Sequence, residues 1–221
     1  MEPQQSESGK PRQKPLLRGV FHQVAAWVAA PAALVLWLAA GSVPARTGAA
    51  TYGISLVVLF ATSAIYHRPT WAPRVRDWMG RLDHSAIFLL IAGTYTPFGL
   101  LLGPAGGYTV LAVVWGGALV GIVLSMVWPT APKPVMTAIF LLLGWTFLPV
   151  GPTLFFALGA SKVTLLLAGG VLYSAGAIIY ALKRPDPFPR VFGYHEIFHV
   201  CVVVAAVFHY VAVAMVLPAI A

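Results

Sequence analysis

The sequence predicts an all-α membrane protein, a seven-transmembrane helix bundle with its N-terminus in the cytoplasm and its C-terminus outside. Three observations carry that expectation. Only 9% of the 221 residues are charged and 59% are hydrophobic, whereas a soluble domain carries about 25% charged residues. The apolar residues fall into runs near the length of about 20 that a helix needs to cross a bilayer. Basic residues gather in alternate connections, as one fixed orientation requires. The runs are too long and continuous for the alternating strands of a membrane β-barrel.

In chain order, residues 1–19 are polar and rich in Pro, Gln, Ser and Lys, which predicts a disordered cytoplasmic tail; residues 20–221 form the membrane domain. The first span, 20–40, lacks a convincing small-residue cleavage site and reads as an uncleaved anchor. The second, 50–67, runs inward and ends on His67. Residues 68–82 form the longest loop, whose Trp71 and Trp78 suit the inner headgroup layer. The third span, 84–102, returns outward to a short external link at 103–107. The fourth, 108–128, contains Gly117 and Gly121, a spacing that lets helices approach closely. The fifth, 135–151, is short and bracketed by Pro134, Pro149 and Pro152. The sixth, 163–182, carries Gly169, Gly170 and Gly176, and the seventh is 195–217. Cys201, the only cysteine, lies in that last span, so no internal disulfide can form and a buried free thiol is expected.

The orientation follows from the basic residues. Lys10, Arg12, Lys14 and Arg18, then Arg68, Arg74, Arg76 and Arg81, then Lys133, then Lys183, Arg184 and Arg190 fall on the cytoplasmic side. These are 12 of the 14 basic residues; only Arg46 and Lys162 fall outside. The net charge of +8 is thereby explained by anionic headgroups, with no nucleic-acid partner required. The partners expected are membrane lipids, and the location is the cell (plasma) membrane, crossed many times.

Few ionisable residues remain for chemistry. His195 and His199 are four apart and share one face of the last span. Imidazole is the commonest zinc ligand, and this spacing offers two nitrogens to one ion. His67 ends the second span, Asp83 precedes the third, and the pair begins the seventh, so the topology brings all four to one cytoplasmic layer. His67, His195 and His199 are the candidate metal ligands, with Zn2+ as the ion. A catalytic zinc keeps an open fourth position for water, whose pKa it lowers to about 7. Asp83 is placed to accept a hydrogen bond from that water or to act as general base. Ser63, one turn before His67, can orient a ligand or donate to an oxyanion.

Other readings compete. His22 and His209 read as hydrogen-bonded packing residues. His84 points about 100° away from Asp83 and falls off the site's face. The His195-Glu196-x-x-His199 pattern also matches zinc proteases, in which Glu is the general base. Here Glu196 points about 100° from His195 around the helix, and Asp83 competes for its role. The four polar groups could also form an interhelical network without metal.

Four segments carry a resemblance: Ser63-Ala-Ile-Tyr-His67, Asp83-His-Ser-Ala-Ile-Phe, Ala92-Gly-Thr-Tyr-Thr-Pro97 and His195-Glu-Ile-Phe-His199. In this order they resemble the hemolysin III family, bacterial relatives of the progestin and adipoQ receptors. The resemblance implies a seven-helix bundle with zinc near the cytoplasmic side. It implies that His67, His195 and His199 bind the zinc, that Asp83 contacts its water, and that Ser63 belongs to an S-x-x-x-H motif. The function expected is a metal-dependent, ceramidase-like hydrolase acting on a lipid amide or ester at the cytoplasmic membrane edge. The alternative is a non-enzymatic sensor, or a cytolytic or channel-like protein whose zinc is structural.

Overall fold

The computed structural model describes residues 14–220. Eight α-helices follow one another: α1 (Val20–Ala39), α2 (Val43–His67), α3 (Pro73–Leu102), α4 (Gly107–Val127), α5 (Lys133–Gly144), α6 (Gly151–Leu158), α7 (Ala160–Leu182) and α8 (Tyr194–Val216). Among the described residues six segments are long and apolar enough to cross a membrane: α1, α2, α3, α4, α7, and α8 with its short 3-10 extension. The only strand-like pairing among them is a single bridge between Phe188 and Phe192. The all-helical membrane class therefore holds.

The fifth predicted span is where the architecture departs from a simple bundle. Residues 135–151 are not one helix: α5 stops at Gly144, and a 3-10 turn at Leu148–Val150 leads into α6. Pro149 and Pro152 lack the N–H groups that would continue the helical ladder. The broken segment still runs the length of the bundle. Lys133, at the start of α5, lies 4.2 Å from the ring centre of Tyr180 near the end of α7. At the opposite end Leu154 of α6 faces Leu102 and Leu166 across a small cavity. Two short helices thus do the work of a seventh crossing.

α3 also differs, beginning eleven residues before the predicted start at 84. Pro73 takes a first-turn position, where a missing N–H costs nothing. Much of the expected 68–82 loop is thereby helical. Arg81 within it donates to the Met126 carbonyl at 2.7 Å, tying α3 to the end of α4. Of the predicted 1–19 tail, residues 1–13 lie outside the described residues. Residues 14–19 lie along the loop before α8, with the Leu16 and Leu17 amides donating to the Arg190 and Val191 carbonyls at 3.0 and 3.2 Å. Lys14 donates to the Arg68 carbonyl at 2.8 Å. Partial burial, with Arg68, Arg76 and Arg18 nearby, draws the Lys14 pKa below the usual lysine value.

Burial is uneven. α2 and α3 are the most enclosed spans, while α1, α4 and α7 turn most of their surface outward. Those outward faces carry Trp27, Val28, Leu119, Val120 and Val171, all exposed. A soluble protein rarely shows such contiguous apolar surface; a bilayer covers it. Inside, small residues let helices close up. A Cβ at Gly176 of α7 would lie 2.8 Å from the Cys201 Cβ of α8, so glycine sets that approach. Cys201 itself is half-buried and free.

Candidate metal centre

The start of α8 explains why its two histidines are so firmly placed. Glu196 is the third helical residue, and its Oε2 accepts from the Gly193 amide at 2.9 Å in a capping box. Its other oxygen pairs with the Arg18 guanidinium. The Tyr194 amide donates to Asp186 at 3.0 Å. Glu196 is therefore fully buried and engaged as a cap and an ion-pair partner. That is a different task from the protease-type base its motif position suggests.

α8 presents His195 and His199 inward, and α2 ends on His67 facing them. All three are buried, and one ring nitrogen from each lies within 4.8 Å of the others. The His67 and His195 Nε2 atoms are 3.3 Å apart. A tetrahedral ion bound at about 2.0–2.1 Å holds its nitrogens roughly 3.3–3.4 Å apart, so the pair has the spacing of co-ligands. Two facing imidazole nitrogens in a buried setting need either a proton between them or a shared cation. The residues fit a metal ion.

Asp83 of α3 lies across from them, its Oδ2 3.6 Å from the His67 Nε2. That separation is beyond a good hydrogen bond and leaves the carboxylate available to a small ligand between them. Ser63 lines the same cavity as Asp83 and His199. Several other buried hydroxyls, those of Thr94, Thr96 and Ser125, donate to the carbonyl one turn back at 2.8–2.9 Å. Ser63 makes no such bond among the described residues, so its hydroxyl is left to face the cavity.

His22 is the residue that spacing arguments assign to packing and that the fold brings to the centre. Its ring stacks on His199, centroids 3.8 Å apart and planes within 4°. Both its ring nitrogens are buried without a partner among the described residues. Gly19 makes this possible. It starts α1 with φ of 78°, and a Cβ there would lie 2.8 Å from the His67 Cβ. The start of α1 therefore presses directly against the end of α2. One sequence signal pointed here: His22 begins the first span at the same basic level as the other histidines. His84 lines the cavity beside Asp83, whereas His209 lies far along α8, its Nε2 donating to the Leu166 carbonyl at 3.1 Å.

Below the histidines a cavity of about 150 Å³ runs between α2, α3, α5, α7 and α8, with His22 of α1 at its edge. Its wall is mostly apolar and reaches from Asp83 to Trp145, at the break after α5. A second cavity of about 60 Å³ shares Thr94, Tyr95 and His209 with the first and continues to Leu102 at the far end. The site is thus a polar centre at one membrane edge with an apolar slot leading away from it.

These features define a multi-pass helical membrane protein with a three-histidine centre at the end of the bundle that carries the basic loops. The particular family follows from comparison with known proteins. The profile of the haemolysin-III related family matches residues 11–210, and the chain belongs to that family. It is similar to hemolysin-3 of Bacillus cereus, 34% identical over 174 residues that cover 76% of this chain and 78% of that protein. It is also similar to a hemolysin-3 homolog of Bacillus subtilis strain 168, 33% identical over 151 residues, 67% of each chain.

Proposed function

We propose that the protein is a zinc-dependent membrane hydrolase that cleaves a lipid amide or ester at the cytoplasmic edge of the membrane. The observation that carries this reading is the meeting of three buried imidazoles, a carboxylate 3.6 Å from one of them and an uncommitted hydroxyl at the head of an apolar cavity. His67, His195 and His199 would hold the ion. When bound, zinc supplies a Lewis acid that acidifies water and polarises a carbonyl.

The chain's own residues supply the rest. Asp83 Oδ2 takes a proton from the attacking water as its oxygen bonds to the carbonyl carbon. The same carboxyl then returns that proton to the departing nitrogen or oxygen as the scissile bond breaks. The Ser63 hydroxyl donates to the carbonyl oxygen as negative charge grows there. The cavity walls hold the acyl chain and exclude bulk water. The products are a carboxylic acid and an amine or alcohol.

The test is a broad lipidomic screen with purified full-length protein of known zinc content. A metal-dependent release of fatty acid is expected; a fully loaded protein that cleaves no amide or ester lipid would sink the proposal. One observation favours a second reading. Asp83 is close enough to His67 to become a fourth protein ligand, and structural zinc sites are closed in that way. The ion would then staple α2 to α8 in a non-enzymatic sensor, or in a cytolytic protein of the kind the relatives' name hemolysin suggests. The Asp83→Asn variant separates the two: the hydrolase keeps most of its metal and loses turnover, whereas the staple loses metal.

A further inference from the structure

We infer that Lys133 is an anion-binding residue at the mouth of the cavity, and that the lipid held there carries an anionic phosphate headgroup. The inference rests on the reading that the cavity holds a lipid, and adds which class of lipid it is.

Lys133 opens α5, one helical turn before Thr137, which is buried and lines the cavity. Positions four apart share a face, so Lys133 belongs to the inward side of α5. Lysines at a membrane edge ordinarily extend toward the headgroups. This one folds inward instead, its Nζ 4.2 Å from the Tyr180 ring centre and 5.9 Å from that of Tyr194. Tyr180 lines the cavity and stands edge-on to the candidate ligand His195, ring centres 5.5 Å apart. Tyr180 is thus in contact with both the Lys133 ammonium and the His195 ring.

Among the described residues no acidic side chain pairs with it. The charges that act on it most are the cations Lys183 and Arg18. Glu196, the acid nearest in the chain to His195, is taken by Arg18 and the Gly193 amide. Asp83 stands beside His67. The tyrosine faces attract a cation but accept none of its three N–H donors. A phosphate oxygen supplies what those donors lack, in a charge-assisted hydrogen bond. A neutral lipid offers no such charged acceptor.

The experiment uses full-length protein, purified with its metal in neutral detergent. It is offered equal amounts of phosphatidylglycerol and diacylglycerol with identical acyl chains, and the lipid that co-elutes on gel filtration is quantified. Wild type should retain the phospholipid about tenfold over the neutral lipid, the effect of one charge-assisted hydrogen bond. Lys133→Gln should bring the ratio within about twofold, Lys133→Arg should keep most of it, and Lys162→Gln at the other end should leave it unchanged. Metal content of each variant reports that it is folded. A wild type that retains both lipids equally, or a Lys133→Gln protein that keeps the preference, overturns the headgroup inference alone. Retention of neither lipid overturns the lipid reading of the cavity as well. Excess inorganic phosphate should leave the phospholipid in place; if it strips the lipid off, the site reads a free anion and the inference fails.

Discussion

At the residue scale the centre is built from groups that each have one task. His67, His195 and His199 face one another, Glu196 caps the helix that carries two of them, and Asp83 stands 3.6 Å from His67 across the gap. The pair on α8 was legible because a four-residue spacing is a helical face, and His67 and Asp83 because topology puts span ends at one depth. His22 was not, since a single histidine at a span end has no partner at helical spacing. The three-dimensional stack gives it one. Its ring lies parallel against that of His199, so if these histidines hold the proposed ion, His22→Ala should weaken metal binding by about tenfold, the scale seen for groups that orient metal ligands. Competition with a chromophoric chelator reads this directly; an unchanged affinity would reduce His22 to a space filler.

At the scale of elements, long apolar runs located the spans, while their ends and the fifth crossing needed more than hydropathy. Residues 73–82 are polar and basic, so a hydropathy reading stops at 84, yet Pro73 is a good helix start. The prolines around the fifth run signalled trouble without saying that two helices would replace one. The break is held by Tyr95 of α3, whose hydroxyl donates to the Gly144 carbonyl at 2.7 Å and accepts from the Phe147 amide at 3.1 Å. Trp145 adds a bond from its indole N–H to Ser174 at 3.0 Å. Backbone groups freed inside a bilayer must be satisfied by such partners. Tyr95→Phe strips both bonds from the break and should destabilise the protein by about 1–3 kcal/mol, with faster amide exchange at Phe147. Thermal unfolding in detergent checks the first expectation and hydrogen exchange the second.

At the scale of the whole molecule, composition fixed the membrane class and charge bias fixed which end carries the basic loops. The cavity could not be read from the sequence, because it is made of apolar side chains no different from those that fill the core. Only the fold shows that these helices leave a slot between them, and that the slot begins at the histidines and Asp83. In the proposed hydrolysis, this continuity is what would join a metal ion to a lipid substrate. The most direct test is hydrolysis in oxygen-18 water by fully metallated protein, with the released fatty acid weighed by mass spectrometry. Water attack predicts labelled carboxylate from the wild type, suppressed by a chelator and lost in an Asp83→Asn protein of equal metal content. Fatty acid released without label, or none released by the metal-replete wild type, would contradict the account.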